Sequence, residues 1–211
     1  LVIEYHDDNN GNYNVSVSYE TDKKTLRSLL LLYNIEFILQ KKEYDYYRFP
    51  FDLFKSEKWD IEHISSQTTN ELKDKNAQEE WLKVALDALE DNIKEEYKND
   101  PISSAEDFEA KRKWITNKVG EEDIAEGLKN CIGNLTLLNA KINRSYGNAI
   151  FPAKRKEIIA HDKNGSFIPL CTKNVFLKYL SGGNNLRWGK NDIQISMNHF
   201  VEILYNYLTK K

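Results

Sequence analysis

The stretch Trp59-Asp60-Ile61-Glu62-His63-Ile64 decides how this chain is read. It reads as an apolar, extended stretch. Glu62 and His63 close it. Adjacent side chains of a strand point to opposite faces, so these two can serve one site only if the strand ends or bends at them, and Ser65-Ser66 is consistent with such an exit. A carboxylate oxygen suits a hard divalent cation, and a neutral imidazole can take a proton from water near neutral pH. Taken alone the dipeptide is weak, because a solvated Glu62 beside a hydrogen-bonded, half-buried His63 is the commoner arrangement.

Support comes from a distant second segment, Gly133 to Asn148, which holds Asn134, Asn139, Asn143 and Asn148. Asparagine can offer a carbonyl oxygen to a metal and use its amide to lock a loop. Asn139 and Asn148 are as well explained by turn chemistry. The apolar run Asn134 to Leu138 reads as a short strand, followed by a loop of Asn, Ser, Tyr and Gly. A helix is expected from Phe151-Pro152, where proline suits a first turn. Between Asn139 and Lys156 the chain carries Lys141, Arg144, Lys154, Arg155 and Lys156 with no acidic residue. That run is the expected DNA-facing surface.

Outward from these segments the chain reads as mainly helical. A helix beginning near Thr21-Asp22 places Leu26, Leu29, Leu30, Tyr33 and Phe37 on one stripe. Tyr44 to Phe54, with Pro50, breaks that period and is expected to lie extended across the core, its aromatics packing rather than stacking on bases. After His63, Thr68-x-x-Glu71 and Ser103-x-x-Glu106 fit capping boxes of an inserted helical region. Its apolar stripes are Leu82, Leu86, Leu89, Ile93 and then Phe108, Ile115, Val119, and its acidic faces would repel phosphate. Beyond Lys163-Asn164-Gly165 comes a further helical part with Val175, Phe176, Tyr179 and Leu180. A Gly182-Gly183-Asn184-Asn185 loop leads to a last amphipathic helix carrying Phe200, Val201, Leu204, Tyr205 and Leu208.

The totals bound the function. A chain of 211 residues, 40% hydrophobic and 30% charged, can bury one sizeable core or two small ones. No apolar run approaches the roughly 20 residues of a membrane span and no leader is evident, so a cytoplasmic protein without membrane contact is expected. The net charge of -3 argues mildly against a protein that binds nucleic acid over its whole surface. Cys131 and Cys171 are too few for a four-thiolate zinc knuckle and read as buried thiols. A zinc site assembled from them with His6, His63, His161 and His199 matches no common spacing. The chain opens on Leu1 rather than Met, which suggests a piece of something longer.

Trp59 to Gln67, then Gly133-Asn134-Leu135-Thr136-Leu137-Leu138 and Lys141-Ile142-Asn143-Arg144, with Phe151 and Lys154 after them, resemble the C-terminal HNH nuclease domain of GmrSD-like modification-dependent restriction endonucleases. Arg48-Phe49-Pro50-Phe51 upstream, and Phe167-Ile168-Pro169, Thr172 to Phe176 and Trp188 downstream, resemble the same family's flanks, so the likeness covers nearly the whole chain. It implies an α+β, mainly α-helical fold: a ββα-metal (HNH) core over residues 58-165, a helical insertion at about 68-130, an N-terminal helical and extended segment over 1-57 and a C-terminal helical segment over 166-211.

The resemblance also implies the chemistry, a metal-dependent DNA endonuclease serving bacterial restriction or phage defence against modified DNA. His63 would be the general base and Asn134 would hold the loop and histidine in place. Glu62 and Asn143 would hold Mg²⁺ or Mn²⁺. Lys141, Arg144, Lys154 and Arg155 would meet DNA, with Asp60 and Asn148 supporting the site from behind. Where the family often has proline, three positions after the histidine, this chain has Ser66, which bears on loop shape. Family members resemble fusions with a preceding nucleotide-hydrolysing domain, and none of its motifs occurs here. The alternative is a DNA-binding or protein-docking module with a dead nuclease centre; a dead copy would be expected to lose Glu62, His63 or Asn143, and all three stand.

Overall fold

The computed structural model describes residues 15-20, 22-65, 72-97, 100-146 and 148-209. The expected cap at Thr68-x-x-Glu71 and the residues Ser66 and His6 lie outside them.

The sheet is two strands, β1 (Trp59–His63) and β2 (Leu135–Asn139), paired antiparallel with Trp59 opposite Asn139, Glu62 opposite Thr136 and His63 opposite Leu135. The pairing runs past both ends. Ala140 N donates to Lys58 O at 2.8 Å, and Ile64 N donates to Asn134 O at 2.9 Å. β2 is buried at every position, which is why it reads as continuous apolar sequence rather than alternation. It starts one residue later than expected, because Ile132–Asn134 form a single 3₁₀ turn.

Helices supply the rest. α1 (Lys23–Gln40) is capped by Asp22, whose carboxylate accepts from Thr25 N, and buries Leu26, Leu29, Leu30, Tyr33 and Phe37 as its stripe foretells. α2 (Phe51–Ser56) stands where an extended segment was expected, after a 3₁₀ turn at Lys42–Tyr44. Pro50 ends the extended stretch instead of continuing it, because its fixed φ suits a helix start, and Phe54 N closes a turn on Pro50 O at 2.9 Å. The aromatics there divide. Phe49 is buried and Phe54 stacks on Trp59, while Tyr46 is fully exposed.

Between the strands lie α3 (Lys75–Asp87), α4 (Asp91–Glu95), α5 (Ala105–Val119) and α6 (Glu126–Lys129). The stripe from Leu82 to Ile93 is broken by a turn between α3 and α4. The α5 cap falls on Ser104 rather than Ser103: its hydroxyl accepts from Asp107 N, while Asp107 accepts from Ser103 N at 2.9 Å. After β2 the expected loop is a helix, α7 (Ala140–Tyr146). Asn139 starts it, its Oδ1 accepting from Lys141 N at 2.8 Å, so a residue type that favours turns here serves as a cap. α8 (Phe151–Lys163) carries Pro152 in its first turn as expected. α9 (Leu170–Phe176) and α10 (Lys190–Thr209) complete the chain, with Tyr179 exposed outside both.

Residues from α1, both strands, the inserted helices and α8 to α10 share one apolar cluster, and Cys131 and Cys171 are buried free thiols within it. The structure is thus α+β and mostly helical around a small antiparallel sheet. No helix of the described residues is long and apolar enough to cross a membrane.

The turn before β2 is held against α10 by close backbone approach. A Cβ on Gly133 would overlap the carbonyl of Ile193 and stand 3.0 Å from Met197 Cβ. Gly133→Ala is therefore expected to lower unfolding free energy by about 1–3 kcal/mol, read as a lower urea midpoint at unchanged m-value.

Candidate functional site at the exit of the first strand

Asn134 is completely buried and all its polar side-chain atoms are engaged. Its Oδ1 accepts from Ser65 N at 2.8 Å, and its Nδ2 donates to Ser65 O at 3.1 Å and to Lys129 O at 2.8 Å. The chain leaving β1 is thereby tied to the end of α6 and the start of β2, and the strand stops at His63 as the Glu62-His63 pair requires.

The two side chains leave that exit in different directions. Glu62 is buried, and Lys154 of α8 donates from Nζ to its Oε1 at 2.5 Å and to the carbonyl of His63 at 2.5 Å. Burial pushes the Glu62 carboxyl up from its ordinary range, opposed by the Lys154 ammonium. The His63 ring lies edge-on to Tyr19, with centroids 4.5 Å apart, and its Nε2 is 3.1 Å from Asn130 Oδ1. Burial lowers the imidazole to about 4, the Asn130 hydrogen bond opposing and the charges of Lys154 and Lys23 adding to the depression. His63 is therefore neutral at physiological pH, the state in which a ring nitrogen can accept a proton.

Asp60 shares a strand face with Glu62 by alternation, and Asn143 of α7 donates from Nδ2 to Asp60 Oδ2 at a long 3.5 Å. That contact turns the amide oxygen of Asn143 away from Asp60. The structure thus brings Asp60, Glu62, Asn143 and Lys154 around β1. Among the described residues no group of three or more His, Cys, Asp or Glu could hold a metal ion. The donors present are instead carboxylate and amide oxygens, of the kind that suits Mg²⁺ or Mn²⁺ with water completing the shell. The Lys154 ion pair engages Oε1 of Glu62, and the backbone N–H of His63 also donates to this carboxylate.

Other expected residues are dispersed. Lys141 and Arg144 are exposed on α7, but Lys154 is 1% exposed, so it faces Glu62 rather than the surface. Arg155 is half-buried and Lys156 pairs with Asp87 of α3 at 2.5 Å. A run of like charge on a helix spreads around its circumference, so Lys154 to Lys156 form no single basic face. Asn148 leaves its side chain exposed and uses its carbonyl, which accepts from Trp81 Nε1 at 3.1 Å.

Four residues of the site are not foretold by the sequence. Tyr19 and Glu20 reach the site because Tyr19 N donates to Asn130 O at 3.0 Å and Ser18 bridges to Cys131, a long-range pairing with no local signal. Asn130 lies just before the Gly-Asn segment and carries no motif. Glu121 is a further, half-buried carboxyl, raised by desolvation and countered by the charges of Arg112, Lys154 and Lys129; it was hidden among the acidic residues of the insertion.

A small antiparallel sheet set in helices, with a buried carboxylate and a neutral histidine at the exit of one strand, is the class of domain these features define. Residues 7–202 match the family described as GmrSD restriction endonucleases, C-terminal domain, and the chain belongs to that family. It is a restriction-endonuclease-type domain. No curated protein and no solved structure matches it.

The depressed histidine has a direct check. In an NMR pH titration the His63 ring signals are expected to move with a midpoint near 4; a midpoint at the ordinary value of about 6.5 would contradict the burial described here.

Proposed function

We propose that this domain is a metal-dependent DNA endonuclease of the HNH type, the effector end of a bacterial restriction or phage-defence system acting on modified DNA. The observation that carries the reading is His63. It is a neutral imidazole held by Asn130 at the end of β1, next in sequence to the buried Glu62. Membership of a restriction-endonuclease family supports DNA as the substrate.

In this reading His63 removes a proton from water, and the resulting hydroxide attacks phosphorus in line with the leaving oxygen. Glu62 and Asn143 would hold Mg²⁺ or Mn²⁺, which when bound neutralises charge developing on the phosphate and leaving oxygen. Asn134 holds the exit of β1, so the base is presented from a fixed backbone. Asp60 orients Asn143. Lys154 balances the charge of Glu62 and anchors the His63 carbonyl, while Lys141 and Arg144 are the exposed cations available to the DNA backbone. A preceding nucleotide-hydrolysing domain would supply target selection.

The Lys154–Glu62 ion pair is the one feature that favours the rival reading, a docking module without activity, since a cation already stands at the carboxylate. Plasmid nicking separates the two. Wild-type protein with Mn²⁺ is expected to nick supercoiled DNA, and His63→Ala to lose at least about a hundredfold in rate while DNA affinity in a gel-shift assay changes little. Undiminished cleavage by the variant would sink the assignment of His63, and no cleavage by wild type on modified or plain DNA would favour the docking module.

A further inference from the structure

His63 is reached by a short chain of hydrogen bonds whose direction is fixed at its far end. The segment Val15 to Glu20 lies against Asn130 and Cys131, and Glu20 Oε1 accepts from Asn130 Nδ2 at 2.8 Å. A carboxylate can only accept, so the Asn130 amide must present nitrogen to Glu20 and oxygen to the imidazole. Facing that oxygen at 3.1 Å, His63 Nε2 has to donate. A neutral imidazole carries one ring proton, so Nδ1 is left with a lone pair. Among the described residues Nδ1 makes no hydrogen bond. Asn130 is 2% exposed, so water has little chance to reverse its amide.

We propose that Glu20 and Asn130 are positioning residues that fix the tautomer of His63, placing the ring proton on Nε2 and making Nδ1 the atom that accepts the proton of the attacking water. The last clause rests on the nuclease reading; the placement of the proton does not. The hydrogen-bond chain is the device that second groups use around catalytic histidines generally: the partner of one ring nitrogen decides what the other can do. Here the deciding charge comes from a segment 110 positions before Asn130 in sequence. The Tyr19 ring, beside Glu20, packs edge-on to the same imidazole and restricts its rotation.

Long-range proton–nitrogen NMR correlations on histidine-¹⁵N-labelled protein at neutral pH separate the two tautomers, with His63 assigned by the signal lost in His63→Gln. Wild type is expected to show Nε2–H alone. Glu20→Gln keeps it, because an amide oxygen can replace the carboxylate. Asn130→Asp also keeps it, since a carboxylate still accepts from Nε2. Glu20→Lys is expected to reverse it: the new ammonium donates to Asn130 Oδ1, the amide turns, and His63 is left carrying its proton on Nδ1. Glu20 is exposed, so this exchange leaves the core alone. Plasmid nicking by Glu20→Lys should fall about a hundredfold or more.

A wild-type ring protonated at Nδ1, or a Glu20→Lys ring still protonated at Nε2, overturns the proposal. Should the tautomers follow the expected order while wild type cleaves no DNA, the proton placement stands and the nuclease reading falls. Cleavage by wild type with the tautomers out of order overturns the placement alone.

Discussion

The side chain of Asn134 is the clasp on which the arrangement around β1 depends. It is wholly buried, and its three hydrogen bonds join the residues after His63 to the end of α6 and the start of β2. Each such bond contributes only about 0.5–1.5 kcal/mol net. Their consequence is geometric more than energetic. A two-stranded ladder is marginal on its own, and these bonds, with the Ile64–Asn134 backbone pair, hold its open end at the point where Glu62 and His63 must diverge. Removing the amide would leave the half-buried Ser65 backbone groups without these partners, at up to about 1–3 kcal/mol for each group that water does not reach.

Burial then sets the chemistry of both side chains, in opposite senses. It raises the carboxyl of Glu62 and lowers the imidazole of His63, because in each case it disfavours the charged form. Lys154 mediates between them, since one ammonium binds the carboxylate of the first and the carbonyl of the second. Breaking a buried pair of this kind costs about 3–5 kcal/mol, because one charge is left without a partner. The same ammonium helps keep His63 neutral. A single lysine, read from sequence as a phosphate contact, is thus part of the scaffold of the site.

Periodicity made α1, α5 and α10 legible in the sequence and a first-turn proline did so for α8, because apolar stripes, caps and Pro152 are local features. Two elements were misread for local reasons as well. The aromatic stretch before β1 looked extended but turns into α2 at Pro50, and the asparagine-rich stretch after β2 looked like a loop but is α7, started by Asn139. The family was legible from two short motifs, and its match extends over residues 7–202. What the motifs do not carry is the wiring between distant segments. Glu20 to Asn130, Lys154 to Glu62 and Asn34 to Cys171 are each pairings across long stretches of chain, and one sequence holds no local trace of them.

In the proposed nuclease the face of β1 bearing Asp60 and Glu62, with Asn143 hydrogen-bonded to Asp60, would hold a hard divalent cation. Calorimetric titration of the apo protein with Mn²⁺ tests it most directly. One saturable site is expected, abolished in Glu62→Gln and weakened in Asn143→Ala. A titration without binding, or an isotherm that Glu62→Gln leaves unchanged, would contradict it.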